Sequence, residues 1–596
     1  MTQSIAIINK DKCKPKKCNN ECKRFCPPNL SGQLCIEIED TKVVINEDLC
    51  ISCGACVKKC PFDAIKMVKL PSELSNEMVH LYGENMFRLY KLPYPKIGKI
   101  IGILGPNGCG KSTIMNILSK NILPNFGNLK IGNCDNEKNI LNKCKGNELH
   151  KYLSLLYNDK LIVNIKKQDI INIIKKVKKT ITVKDILERF TLKEKFNRIS
   201  TILNLSRLMN KEVLKLSGGE LQLLICSINL LKDGNLYIFD EPTNFLDIEY
   251  RIKIANLITE LNDNENVYIF IVDHDLSILD FVSDQIHIIY GEPGAYGVVS
   301  TLYSSLEGIN IYFDGYIPAD NIRFRPEPYK LKSSIIEYDN HIKSNTIKFE
   351  IEPIDINFDT FNLKINKFEL TSNINMVIIL GKNGTGKTTF LNYLYNNYKG
   401  ISYKPQFENN EKTTTVINYL YLKIKSSMFN QIFINDVINP LNIKNLYDKQ
   451  LNTLSGGEFQ RLNIVVCLGT PADIYLIDEP SASLDIEYRF IVTKVIKRFL
   501  LQNEKFGFII EHDILMATTL AKEESSRILL FKENKQNFDK KYCDASLLNF
   551  NTGINLFLQD IDATFRIDRN NKRPRLNKYN SINDKEQKLT NKYFSN

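Results

Sequence analysis

Two stretches of this 596-residue chain carry the residue types needed to hold and cleave a polyphosphate. Gly105-Pro106-Asn107-Gly108-Cys109-Gly110-Lys111-Ser112 and Gly381-Lys382-Asn383-Gly384-Thr385-Gly386-Lys387-Thr388 both fit G-x-x-x-x-G-K-[ST], each after a strand-like apolar run. Glycines at that spacing let backbone N–H groups turn inward on phosphate oxygens. The lysine adds a point charge, and the hydroxyl of Ser112 or Thr388 reaches a magnesium ion. Downstream, Asp240-Glu241 and Asp478-Glu479 end apolar runs, where the aspartate supplies a magnesium carboxylate and the glutamate is placed to polarise a water. His274 and His512 end a second apolar run in each copy, placed to sense a γ-phosphate. Positioning and charge neutralisation do most of the work in phosphoryl transfer, so these residues are a sufficient set.

The elements that must position them occur twice. Leu216-Ser217-Gly218-Gly219-Glu220 recurs as Leu454-Ser455-Gly456-Gly457-Glu458. The interval from Ser217 to Asp240 equals that from Ser455 to Asp478, and the interval from Asp240 to His274 equals that from Asp478 to His512. The separation of the two copies far exceeds solenoid periods and marks a duplicated α/β domain. Each Ser-Gly-Gly-Glu opens a helical pattern whose free N–H groups favour an anion. The phosphate loop already occupies that end within one copy, so the facing phosphate must come from the other copy. The first copy is longer between its lysine and serine, Lys111 to Ser217 against Lys387 to Ser455. The excess is an insertion placed at about 120–165, and it includes a helical pattern over Glu148 to Leu156. Tyr82 and Phe87 precede the first loop, where they could stack on adenine or serve as core.

Residues 1–75 hold nine of the fifteen cysteines. Cys50, Cys53, Cys56 and Cys60-Pro61 have the bacterial ferredoxin spacing, in which the fourth thiolate crosses to a second cluster. Cys13, Cys18, Cys22 and Cys26-Pro27 form a looser run. The crossing rule assigns Cys13, Cys18, Cys22 and Cys60 to one four-iron cluster and Cys26, Cys50, Cys53 and Cys56 to the other. Cys35 is left over, as a buried strand thiol. Zinc is the weaker reading, because structural zinc sites use C-x₂-C pairs rather than a triple run.

The net charge of +11 is concentrated at the ends: residues 10–30 and residues 566–578 each carry +5. Basic ends on a balanced body suggest contact with a polyanion, most simply RNA. No apolar run of roughly 18 residues occurs, and Met1 to Lys12 lacks the core of a secretory signal, so a cytoplasmic protein is expected. The domain reading is a ferredoxin-like iron–sulfur domain at 1–75, nucleotide domains at 76–292 and 331–548, an ordered connector at 293–330, and a tail at 549–596. That tail is first amphipathic, then basic, with its last eighteen residues read as disordered.

These motifs resemble the Walker A, Q-loop, signature, Walker B, D-loop and H-loop of an ATP-binding cassette (ABC) ATPase. Across nearly the whole chain, the resemblance is to the E subfamily, also called the RNase L inhibitor family. It is carried by Cys56-Val57-Lys58-Lys59-Cys60-Pro61-Phe62, Glu307 to Gly315, Ile510-Glu511-His512-Asp513, and Thr564-Phe565-Arg566 through Arg573-Pro574-Arg575. The resemblance implies two ABC domains head to tail behind the iron–sulfur domain. Site 1 would place Gly105, Asn107, Gly108, Gly110, Lys111, Ser112, Thr113, Asp240, Glu241 and His274 opposite Ser455 and Gly457. Site 2 would place Gly381, Asn383, Gly384, Gly386, Lys387, Thr388, Thr389, Gln406, Asp478, Glu479 and His512 opposite Ser217 and Gly219. Asp247 and Asp485 would be the D-loops, and Ser112, Thr388, Gln406 and the two Walker B aspartates would hold Mg²⁺. The family implies an ATP-driven ribosome recycling factor with two 4Fe-4S clusters. Its implied partners are the small subunit and its RNA, a release factor or rescue paralogue, and initiation factors.

A membrane transporter ATPase, a redox enzyme using the clusters, and a scaffold without productive ATPase are the competing readings. The absence of a membrane span, the lack of a flavin site, and the presence of both glutamates weigh against them in turn. Two departures separate the halves. The first-half Q-loop offers Lys166, Lys167 and Gln168 in place of Tyr403-Lys404-Pro405-Gln406, and Leu223 stands where the second copy has Arg461. Unequal turnover at the two sites is expected, so Glu241→Gln and Glu479→Gln should lower ATPase by different factors. Steady-state assays showing equal losses would count against it.

Overall fold

The computed structural model describes residues 4–9, 12–39, 42–69, 77–129, 136–146, 148–167, 181–191, 194–263, 266–329, 331, 347–358, 361–371, 373–406, 413–521, 525–534 and 541–595. Gln168 lies outside them. Each half is built on an eight-stranded sheet. The first runs in the order Met78–Leu81, Arg88–Tyr90, Tyr296–Ser304, Gln285–Glu292, Lys99–Leu104, Tyr268–Val272, Leu236–Asp240, Val163–Lys166. The second repeats it with Ile354–Asn357, Phe361–Ile365, Lys541–Leu548, Ser526–Asn534, Met376–Leu380, Phe506–Ile510, Ile474–Asp478, Ile401–Lys404. The central strands are parallel and apolar along their interiors, as expected for strands covered on both faces, with Asp240 and Asp478 at the ends of two of them. Their register aligns the phosphate loop, the Asp-Glu pair and the histidine at one carboxyl edge, since Val272 pairs with both Ile103 and Asp240.

The first sheet extends past the expected boundary at 292. Tyr296–Ser304 is an inner strand, antiparallel to Gln285–Glu292, and the connector begins with the helix Ser305–Asp314. The insertion folds as helices Asn136–Lys143 and Glu148–Tyr157, matching the helical periodicity expected over Glu148 to Leu156. Leu149, Leu153 and Leu156 of the second helix face the core, and the Tyr152 hydroxyl donates to Leu118 O at 2.6 Å. The interval from Lys166 to Ser217 equals that from Lys404 to Ser455, so the extra length lies wholly before Lys166.

The iron–sulfur domain pairs Ser4–Ile8 with Ile65–Lys69 and adds the hairpin Ile36–Glu39/Lys42–Ile45. It docks on the first half. Asn85, in the turn between Tyr82 and Phe87, accepts from Ile45 N at 2.8 Å and donates to Ile45 O at 2.9 Å. Ion pairs Arg88–Glu47 and Lys66–Glu292 flank it.

The C-terminal segment corrects two expectations. Residues 579–595, within the stretch expected to be disordered, are ordered: the helix Ile582–Leu589 and the strand Phe594–Ser595 pack with Phe565–Ile567 and Pro574–Leu576, the three strands forming one sheet. Polar composition misleads here because the buried amides and hydroxyls pair with one another. Thr564 Oγ1 donates to Asp584 Oδ1 at 2.6 Å, Asn577 Nδ2 to Thr564 Oγ1 at 2.9 Å, and Gln587 Nε2 to Phe565 O at 3.1 Å. Half of the basic run also turns inward. Arg573, 2% exposed, lies 3.2 Å from Asp280 of the first half, Arg575 Nε donates to the same carboxylate at 2.7 Å, and Arg566 donates to Asn577. These arginines clamp the C-terminus to the helix Leu276–Val282, while Arg569, Lys572 and Lys578 of the same run stay exposed. Removing one partner of a buried pair strands the other charge, so Asp280→Asn should destabilise this docking by about 3–5 kcal/mol. Limited proteolysis should then cut first within 565–595; an unchanged cleavage pattern and melting curve would contradict the clamp.

Candidate active site

Each Ser-Gly-Gly-Glu begins a helix, Gly218–Leu231 or Gly456–Gly469. Ser217 and Ser455 cap them in reciprocal capping boxes with Glu220 and Glu458, which fix the helix ends, while Gly219 and Gly457 pack so closely on the Phe245 and Ser483 carbonyls that an added Cβ would stand 2.8 Å from each oxygen. Between the halves, a cavity of about 460 Å³ is lined by Asn107, Glu241 and His274 from the first half and Ser455, Gly456 and Gly457 from the second. Site 1 is therefore built from both copies.

The halves meet through two aspartates that each do two things. Asp247 Oδ1 caps its own helix by accepting from Tyr250 N at 3.0 Å, while Oδ2 accepts from Asn383 N of the second phosphate loop at 3.2 Å. Asp485 repeats this with Tyr488 N at 2.9 Å and Asn107 N of the first loop at 3.4 Å. Two hinges reinforce the contact. Arg325 pairs with Glu487 at 3.0 Å and lies 3.7 Å over the Tyr329 ring, which stacks on Phe490. Lys382 bridges Glu249 at 3.3 Å and Asp560 at 3.4 Å.

Within each loop the lysine is buried. Lys111 Nζ donates to Gly105 O and Asn107 Oδ1, and Lys387 Nζ to Gly381 O and Lys382 O. Gly110 and Gly386 have φ of 97° and 93°, and an added Cβ would stand 2.7 Å from Phe87 Cζ or Phe361 Cζ. Phe87 thus packs beneath its loop, whereas Tyr82 stays half exposed at the mouth, its hydroxyl 3.1 Å from Thr113 Oγ1. Phe358 and Phe361 form the corresponding stacked pair in the second half. Sequence reading missed them, although Phe361 precedes Gly386 by nearly the interval separating Phe87 from Gly110.

Thr388 Oγ1 donates to Asp478 Oδ2 at 2.8 Å, while the buried Oδ1 meets no donor among the described residues. Burial and the adjacent glutamate push Asp478 up and raise Asp240 to about 7. A hydroxyl beside a desolvated carboxylate suits a divalent cation, which offsets that cost. Ser112 and Asp240 both border the 340 Å³ cavity at the first loop. His274 Nε2 stands 3.2 Å from Glu241 Oε1, and His512 Nε2 3.3 Å from Glu479 Oε1. Burial alone would raise Glu479, but His512, Gln406 and Lys387 hold it down to about 2, a carboxylate at neutral pH.

The cysteines of the N-terminal domain gather in two groups. One cavity is lined by Cys26, Cys50, Cys53 and Cys56, with Cys35 buried at its wall. Burial pushes Cys22 up to about 11, with Cys60, Cys13 and Cys18 adding to the rise, and Cys56 up to about 11, with Cys50 and Cys53 adding. Thiols that resist ionisation alone yet crowd together fit ligation, because a bound metal stabilises the thiolates outright.

Comparison with known proteins agrees. The ABC transporter model matches residues 95–244 and 359–482, a possible Fer4-like domain in RNase L inhibitor matches 4–34, and a 4Fe-4S binding domain matches 43–66. The chain is 40% identical over 605 residues to translation initiation factor RLI1 of Saccharomyces cerevisiae, covering 99% of this chain and 98% of that protein. It superimposes with a TM-score of 0.88 and 37% identity on a chain from a model of ribosome-bound archaeal Pelota and ABCE1, over 100% of this chain and 99% of the other. The archaeal recycling factor aABCE1, solved with the stalk protein aP1, gives a TM-score of 0.79 and 35% identity over 88% and 100%. Paired phosphate loops completed across an interface, behind a cysteine-rich domain and with this likeness along the whole length, mean that the chain belongs to the E subfamily of ABC ATPases, the RNase L inhibitor family, and is an ATP hydrolase with two 4Fe-4S clusters.

Proposed function

We propose that the protein splits ribosomes into subunits after termination or rescue and remains on the small subunit, with ATP-driven closure of the halves moving the iron–sulfur domain. The observation that carries this is end-to-end similarity to the chain of a ribosome-bound assembly that also contains Pelota, a partner of the release-factor kind. The small subunit, its RNA and initiation factors are the remaining partners, and the protein works in the cytoplasm. Among the described residues, no helix is long and apolar enough to cross a membrane.

In this reading Glu241 and Glu479 orient the attacking water, His274 and His512 hold the γ-phosphate end, and Lys111 and Lys387 neutralise it. Ser112 with Asp240, and Thr388 with Gln406 and Asp478, hold Mg²⁺. When bound, the ion neutralises charge on the phosphates. Tyr82 and Phe358 offer their faces to adenine. Ser217, Gly219, Ser455 and Gly457 complete the opposite site, so only the closed arrangement hydrolyses ATP. Asn85 transmits closure outward, because its side chain joins the base-binding turn of site 1 to a strand of the iron–sulfur domain.

Replacing Asn85 by alanine should leave ribosome-free ATPase near its native rate while splitting falls; equal loss of both would contradict that role. The proposal as a whole is tested by sedimenting ribosomes and a Pelota-type factor with the protein and ATP through sucrose gradients. Free subunits should appear, and should not with the Glu241→Gln/Glu479→Gln double variant. Ribosomes that stay intact with the native protein would overturn it.

A further inference from the structure

The two hydrolytic glutamates share a backbone peculiarity. Glu241 and Glu479 have φ of 49° and 48°, the left-handed region that an L-residue adopts only at a cost in free energy. Each is held there at both ends of its backbone. The amide donates to the neighbouring strand, Glu241 N to Val272 O at 2.8 Å and Glu479 N to Ile510 O at 3.0 Å. The carbonyl is gripped by a buried lysine and a buried glutamine. Lys166 Nζ donates to Asp240 O and Glu241 O, both at 2.8 Å, and Lys404 Nζ to Asp478 O at 2.6 Å and Glu479 O at 3.3 Å. Gln222 Nε2 donates to Glu241 O at 2.8 Å and Pro242 O at 2.7 Å, and Gln460 Nε2 to Glu479 O at 2.7 Å.

The glutamines stand on the helices that begin at the Ser-Gly-Gly-Glu segments. The helix carrying Gln460 starts at Ser455, which lines site 1, yet Gln460 holds the glutamate of site 2. The stretch of rigid helix between them spans about 7.5 Å. The helix carrying Gln222 opens at Ser217, the copy of Ser455, and the symmetry of the duplication gives it the converse connection. A tilt of either helix as its N-terminus engages a phosphate in one site therefore moves the donor that fixes the peptide of the other site's glutamate.

We propose that Gln222 and Gln460 are positioning residues, with Lys166 and Lys404 as their fixed counterparts, and that each sets the glutamate of one site according to the occupancy of the other. Misplacement of a reacting group by about 1 Å can cost about 100-fold in rate, so loss of this donor should appear in kcat rather than in KM. The inference rests on Glu241 and Glu479 being the hydrolytic residues.

The test uses the full, cluster-loaded chain without ribosomes. Site 2 turnover is compared with site 1 filled but inactive (Glu241→Gln) and with site 1 unable to bind ATP (Lys111→Ala). Should Glu241→Gln fail to silence site 1, the assignment of the glutamate fails, not the role of the glutamines. With native Gln460 the two rates should differ; adding Gln460→Met should lower kcat about 100-fold without a matching rise in KM and make the two rates equal. Gln460→Leu, which likewise has no donor, should behave the same if the methionine variant fails to melt cooperatively. An unchanged kcat, a loss confined to KM, rates already equal with Gln460 present, or a difference that survives its replacement would overturn the proposal.

Discussion

A carboxylate that caps a helix in one half and accepts an amide from the phosphate loop of the other is the contact on which this molecule depends. Asp247 and Asp485 each have two oxygens and use one on either side of the interface. Both are buried, so neither side can be withdrawn without leaving an oxygen that water reaches poorly. The position of each phosphate loop is thereby tied to the start of a helix in the opposite domain. Neither half holds a finished site, since the glycines that complete site 1 arrive from the second copy of the duplication.

From that seam, motion has two ways out, and they are not alike. The first hinge uses a guanidinium layered on aromatic rings and paired with Glu487, a contact that depends on stacking as well as charge. The second uses Lys382, inside the phosphate loop itself, where the first loop has Pro106. Site 2 thus has a direct ionic connection to the C-terminal segment through Asp560, while site 1 touches the iron–sulfur domain through the turn between Tyr82 and Phe87. The C-terminal arginines close the circuit by returning to Asp280, on the helix that begins just after His274. The two sites are thus joined by direct contacts to both ends of the chain.

What could be read from sequence follows what chemistry demands at fixed spacing. Phosphate loops, the Asp-Glu pairs, the histidines and the cysteine runs tolerate few alternatives, so their spacing identified the duplication and the α/β fold. The C-terminal sheet was not legible, because a buried network of Asn577, Gln587, Thr564 and Asp584 has the composition of a disordered tail. Arginine runs are equally silent about direction: Arg573 reads the same whether it faces RNA or an aspartate in the other half of the chain. The strand Tyr296–Ser304 was hidden by its Gly- and Tyr-rich surroundings, and Lys166 reads as part of a degenerate Q-loop although it bonds to the Asp-Glu carbonyls as Lys404 does.

The central claim is that nucleotide draws together two half-built sites and so moves a rigid metal-bearing lever. Pulsed electron spin resonance between one label on each nucleotide domain, and a third on the iron–sulfur domain, measures it directly. A non-hydrolysable ATP analogue should shorten the distance between the halves and shift the iron–sulfur label, and both changes should vanish when Ser217 and Ser455 are replaced by arginine. Saturation of both halves by the analogue with no change in either distance would contradict the account.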